Sequence, residues 1–274
     1  MGLLLPQIDY IARMCINNNI TGSVLSLGRL DFFVTLEQFT TIITNIGDET
    51  TNKTLNKLIS SNKYKTSYFS NHNFIQHKII SDLLFYHTLG FKTVDCLDCD
   101  PERGNPSIIF DLNQPDIKQV VNKQFDLVID AGVMEHVFDV RTTMLNMNDL
   151  VKNEGYIIHS MPSNNTMDHG FYQFSPTLFR DYYLANKYNI INIMVLELHQ
   201  DKYTSTNASF VDRWSGFKMW EYDPYIAGKN SFGQLSDNIY ITLVYAKKTH
   251  NSLRDVAPQQ YMFHPNAKIM SPWR

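Results

Sequence analysis

A chain of 274 residues, 43% hydrophobic and 19% charged, is long enough to bury a large core as one α/β domain with an elaboration. Its net charge of -3 gives no electrostatic reason to expect a nucleic-acid or anionic-membrane partner. No apolar run approaches the ~18–20 residues that a membrane span needs, and Met1-Gly-Leu-Leu-Leu-Pro6 lacks the basic start of a signal peptide, so a cytoplasmic location is expected.

Cys15, Cys96 and Cys99 make an odd number in a long chain and do not suggest a disulfide framework. Cys96-Leu-Asp-Cys99 has the spacing of half a zinc site, but no second pair completes it. The pair reads as structural, and no metal site is expected.

In chain order, a helix is expected over about Ile8 to Ile16, closed by Asn17-Asn-Asn19, and then a strand over Ser23 to Leu27. Leu36, Phe39, Ile42, Ile43 and Ile46 have helical spacing, and the stretch beyond them is rich in Asn, Thr, Ser and Lys. Ile75, Ile79, Ile80, Leu83 and Leu84 predict a helix over Phe74 to Leu89 that stops at Gly90. Three short apolar runs then end on an acid: Thr93 to Asp98, Ser107 to Asp111, and Phe125 to Asp130, the last turning through Ala131-Gly132-Val133-Met134 into Glu135-His136. Leu112 to Pro115 break the chain, leaving a helical turn at most over Ile117 to Val121. There follow a helix over Val140 to Val151, a strand over Tyr156 to Ser160, and a helix with Ser175 as its cap and Pro176 at its first position. Strands over Ile190 to Leu198 and Asn238 to Ala246 come last. Between these two, Trp214, Phe217, Trp220, Tyr222 and Tyr225 crowd a stretch read as irregular.

Open α/β sheets bind ligands where the carboxyl ends of strands converge, and three acids there suit a cationic ligand that bears hydroxyls and an amine. The segments Val24 to Asp31, Thr93 to Asp98, Ser107 to Asp111, Phe125 to Val137 and Leu150 to Pro162 together resemble the class I S-adenosylmethionine-dependent methyltransferases, over residues 20 to 250. The resemblance implies a doubly wound, seven-stranded, mostly parallel sheet whose last strand is antiparallel. It also implies one domain over residues 1–250, a helical insertion at about 35–73, and a tail over 251–274. The insertion reads either as an amphipathic cap over the cofactor mouth or as a solvated surface elaboration, and the tail either as draped on the core or as a partner contact.

S-adenosyl-L-methionine is the cofactor the resemblance implies. Leu27 ends the first strand and Gly28 and Arg29 fall on the loop after it, Asp98 at the ribose acid, Asp111 and Leu112 on the adenine side, and Asp130, Ala131 and Gly132 at the end of the fourth strand. The family's loop usually carries two or three glycines, whereas Gly28 is followed here by Arg29, Leu30 and Asp31. The implied reaction is methyl transfer to a small-molecule or carbohydrate acceptor; the alternative is a catalytically inactive binding or scaffold protein of the same fold. A nicotinamide-dependent oxidoreductase would need G-x-G-x-x-G after the first strand, which Gly28 to Phe33 does not supply. His169, on the loop beyond the fifth strand, is the first candidate base and His136 the second. Tyr172, Phe174 and Trp214 are candidates to hold the acceptor, and His159, inside a strand, reads as a satisfied buried residue.

Overall fold

The structure, a computed structural model, describes residues 2–61, 79–102, 105–200, 214–222 and 236–260. Its centre is an eight-stranded sheet. Strands β1 (Gly22–Leu27), β2 (Phe91–Asp98), β3 (Ile108–Ile109), β4 (Phe125–Asp130) and β5 (Val151–Asn164) pair in parallel in the order β3-β2-β1-β4-β5. Three more strands, β6 (Asn189–Gln200), β7 (Trp214–Glu221) and β8 (Ile239–Lys247), extend it: β8 lies antiparallel between β5 and β6, and β7 forms an antiparallel edge beyond β6.

Neighbouring residues of each central strand feed opposite cores, because successive side chains on a strand point to opposite faces. Val24, Leu127, Ile158 and Leu243 pack with Ile8, Phe39 and Leu84 of helices α1 (Leu5–Asn17), α2 (Leu36–Ile46) and α4 (Asp82–Thr88), and with Leu55 of α3 (Glu49–Ser60). Their neighbours Leu25, Val128, Ile157 and Val244 pack with Met144 and Met147 of α5 (Val140–Leu150) and Phe179 of α6 (Pro176–Ala185). The sheet is therefore covered on both faces, which is why its strands read as continuous apolar runs. No helix among the described residues is long and apolar enough to cross a membrane.

Two expectations need correction. The sheet has eight strands and not seven, because Trp214 to Glu221, read as irregular, is the edge strand β7. Phe217 and Trp220 stay exposed there, so pairing with β6 holds the strand and no apolar alternation marks it. The helix expected over Phe74 to Leu89 is described only from Asp82, where Ser81 caps α4 by accepting from the Leu84 amide at 3.1 Å. Ile79 and Ile80 are extended: Ile80 bridges Phe32 and donates its amide to the Val34 carbonyl at 3.1 Å. Two β-branched residues outside the cap find their burial in that pairing. Residues 74–78 of that expectation, Lys63 and Lys65 of the Lys-rich stretch, and Tyr225 lie outside the described residues.

Candidate active site

The carboxyl ends of β1 and β2, the turns after β3 and β4, and the loop after β5 enclose a cavity of about 500 Å³, within the usual range for small-molecule sites. Gly28 closes β1 with a left-handed φ of 69°, donating its amide to the Leu97 carbonyl at 2.7 Å. That bond binds the turn to the end of β2, where Asp98 points into the cavity. Asp98 is 8% exposed; one carboxylate oxygen accepts from the Asp100 amide at 3.1 Å, and the other is buried with no hydrogen-bond partner. A buried acceptor left open costs free energy until a donor reaches it.

Opposite Asp98, Phe110, Asp111, Leu112 and Asn113 form a second wall. The Phe110 amide donates to the Asp98 carbonyl at 3.0 Å, and Asp111 holds the turn by accepting from the backbone and side chain of Asn113, both at 2.9 Å. Val133, His136 and Val137 contribute from the turn after β4, and His169 from the loop after β5.

The mouth of the cavity carries a cluster of titratable groups. Glu135 is 1% exposed, and burial, followed by the nearby Asp130, pushes its carboxyl up to about 8. His169 Nε2 stands 3.5 Å and His136 Nε2 3.9 Å from Glu135 Oε1, while Glu135 Oε2 is buried without a hydrogen-bond partner. The two imidazoles meet edge to face with centroids 5.1 Å apart. The loop is latched onto this turn, because the Glu135 carbonyl accepts from the Phe171 amide at 2.6 Å and the Tyr172 amide at 3.3 Å. Gly170 makes the latch possible: its φ is 77°, and a Cβ there would stand 2.7 Å from the Glu135 carbonyl oxygen.

Of the residues the sequence points to, Gly28, Asp98, Asp111, Leu112, His136 and His169 are brought together around the cavity. The others are placed elsewhere. Leu27 and Ala131 are buried in the two cores, Gly132 turns the chain out of β4, and Arg29 reaches Asp82 at 2.7 Å. Asp130 is fully buried and accepts from the amides of Val133 at 3.2 Å and Met134 at 3.3 Å. Its other oxygen meets Nδ1 of the fully buried His159 at 3.1 Å, and His159 Nε2 meets the Tyr183 hydroxyl at 2.6 Å. Phe174 is a core residue, Tyr172 donates its hydroxyl to the Phe138 carbonyl at 2.9 Å, and the Trp214 backbone lies at the start of β7, its side chain outside the described residues. Sequence reasoning did not name Leu97, Cys99, Phe110, Asn113, Val133 and Val137 as site residues. Each follows a strand-end acid or flanks a named residue, so proximity in sequence was the signal that could have found them.

No protein-family model matches this sequence, and no curated protein matches it. Among solved structures, the chain is similar to TehB from Haemophilus influenzae at 13% identity and a TM-score of 0.36, over 61% of this chain and 53% of that one, so it spans about half of that protein. It is similar to the 1,6-didemethyltoxoflavin-N1-methyltransferase of Burkholderia thailandensis, solved with 1,6-didemethyltoxoflavin and S-adenosylhomocysteine, at 10% identity and a TM-score of 0.42, over 88% of this chain and 78% of that one. It is also similar to the N-methyltransferase NodS of Bradyrhizobium japonicum WM9 in complex with S-adenosylhomocysteine, at 11% identity and a TM-score of 0.41, over 89% and 86%. At these identities and TM-scores the likeness carries no weight for this chain's chemistry, which rests on the cavity itself.

Proposed function

We propose that this protein transfers a methyl group from S-adenosyl-L-methionine to a small-molecule or carbohydrate acceptor. The observation that carries the reading is the open, buried carboxylate oxygen of Asp98 at the end of β2, beside the Gly28 turn. A ribose hydroxyl supplies the donor that oxygen lacks, and a glycine turn lets the backbone come close to the ligand. Asp98 would hold the ribose, and Phe110, Leu112 and Asn113 would border the adenine. When bound, the cofactor supplies an electrophilic methyl group on a sulfonium.

The residues of the chain do the rest. Displacement at that methyl group depends on aligning the acceptor and stripping it of water, which the cavity walls and the loop after β5 provide. Where the acceptor is a hydroxyl, its proton must leave, and His169, held beside Glu135 at the mouth, is the side chain placed to take it.

Calorimetry with S-adenosylmethionine and S-adenosylhomocysteine tests the cofactor directly. Binding with a dissociation constant in the micromolar to sub-millimolar range is expected. No heat and no thermal shift at millimolar ligand would instead favour a scaffold of the same fold, a reading supported by the loss of all loop glycines but Gly28.

A further inference from the structure

We propose that Glu135, His136 and His169 form a binding site for a divalent first-row transition cation, of the class of Zn²⁺ or Mn²⁺, at the acceptor end of the cavity. The site lies where the methyl-transfer reading puts the acceptor, and to that extent its catalytic use rests on that reading; the binding of the cation does not.

One carboxylate oxygen and two imidazole nitrogens converge so that all lie within 4.8 Å of one another. Bonds of about 2.0–2.2 Å put tetrahedral ligand atoms roughly 3.4 Å apart. The observed 3.5 Å from His169 Nε2 to Glu135 Oε1 meets that spacing, and the 3.9 Å from His136 Nε2 needs only a small side-chain closure. Both separations exceed the usual 2.7–3.2 Å of a nitrogen–oxygen hydrogen bond, taken as about that range. The groups therefore face one another across a gap the size of an ion.

The carboxylate adds a second, independent observation. Glu135 is 1% exposed and its Oε2 has no hydrogen-bond partner, so the buried carboxyl group keeps an acceptor position that nothing in the protein fills. The frame is rigid as well: Gly170 and the amides of Phe171 and Tyr172 clasp the Glu135 carbonyl, which fixes the loop bearing His169 against the turn bearing Glu135 and His136. Two imidazoles and one carboxylate suit borderline transition cations better than Ca²⁺ or Mg²⁺, which prefer oxygen donors.

His136 and His169 also line the cavity, so the coordination positions left by three protein ligands open toward the acceptor. A hydroxyl bound there is acidified by the cation, and its proton goes to solvent. With the cation bound, His169 Nε2 serves as a ligand, so its role as the base belongs to the metal-free site.

The test uses the full chain stripped with a chelator and titrated by calorimetry with ZnCl₂ and with MnCl₂, and with CoCl₂ for its visible absorption. Binding of one ion per chain is expected. Because loss of an outer-shell partner alone typically weakens metal sites about 10- to 100-fold, His136→Ala and His169→Ala should each weaken binding at least about tenfold and change the cobalt spectrum. Both residues are exposed, so their loss should spare the fold. Absence of one-to-one binding, or unchanged binding in the double variant, would overturn the site. S-adenosylhomocysteine is titrated in parallel: cofactor binding without the cation overturns this inference alone, and cation binding without the cofactor upholds it while removing the methyl-transfer reading.

Discussion

Asp98 and Asp130 have the same local signature, an apolar strand ending on an acid, yet they do different things. The Asp98 carboxylate lines the cavity with one oxygen open, whereas Asp130 turns inward to His159 and caps the turn after β4. The sequence made both strand ends legible. It could not show which acid would find an internal partner, because His159 is 29 residues away and meets Asp130 only when β4 and β5 pair. The same limit applies to His136 and His169, which a local reading names singly and the latched loop brings together over Glu135. For Asp98 the proposed role has a direct consequence. Removing a charged acceptor that receives ribose hydroxyls costs about 1.5–3 kcal/mol, or roughly 10- to 150-fold in affinity. Calorimetry of Asp98→Ala should register that loss with S-adenosylhomocysteine, with little change in thermal stability, since the Asp100 amide and the exposed Cys99 thiol are the groups that lose a partner. Equal affinity in a folded variant would take Asp98 out of the site.

Among the elements, those with a cap or a clean period were legible. Ser175 and Pro176 start α6 where expected, and β4 keeps its expected bounds. Elements defined by pairing alone were not, as with β7 and the extended Ile79-Ile80. Helix α5 illustrates how much a cap contributes. Asp139 accepts from the Thr142 amide at 2.9 Å and from the Thr142 hydroxyl at 2.7 Å. The backbone bond first, and the hydroxyl bond second, hold its carboxyl below the ordinary range. Replacing such a cap with alanine typically costs about 0.5–2 kcal/mol, so Asp139→Ala should unfold at correspondingly lower denaturant. The sign with pH follows from the depressed value. The contribution is complete above the unfolded-state pKa of about 3.9 and is lost as pH falls through the lower folded-state value. The gap between wild type and Asp139→Ala should therefore be constant near neutrality and narrow in acid below that point. A gap that widens in acid would contradict the cap.

At the scale of the whole molecule, the segment after β8 ties together the helices of one face. Arg254 grips Asp149, in the last turn of α5, through Nε at 3.0 Å and Nη2 at 2.8 Å, and Lys118 reaches the same carboxylate at 2.9 Å. Burial alone would raise the Asp149 carboxyl, but the bonds from Arg254 and Lys118 outweigh it and hold it below its ordinary value. Just past α6, the fully buried Asn186 accepts from the Val256 amide at 2.8 Å and donates to the Val256 carbonyl at 2.9 Å, and its own carbonyl accepts from the Leu253 amide at 2.8 Å. Two chemically different anchors thus hold one short segment. Losing one partner of a buried hydrogen-bonded group costs about 1–3 kcal/mol. Arg254→Ala belongs at the lower end, because Lys118 remains on Asp149 and the Arg254 side chain is 43% exposed, and its effect should shrink in high salt. Asn186→Ala should cost more and be indifferent to salt, since its bonds are neutral and buried. Both changes free the same segment, so the double variant should lose less stability than the two losses added together. Chemical unfolding of the four proteins measures this directly. Strict additivity would mean that the anchors act independently, and that residues 253–256 do not behave as one unit holding α5 and α6.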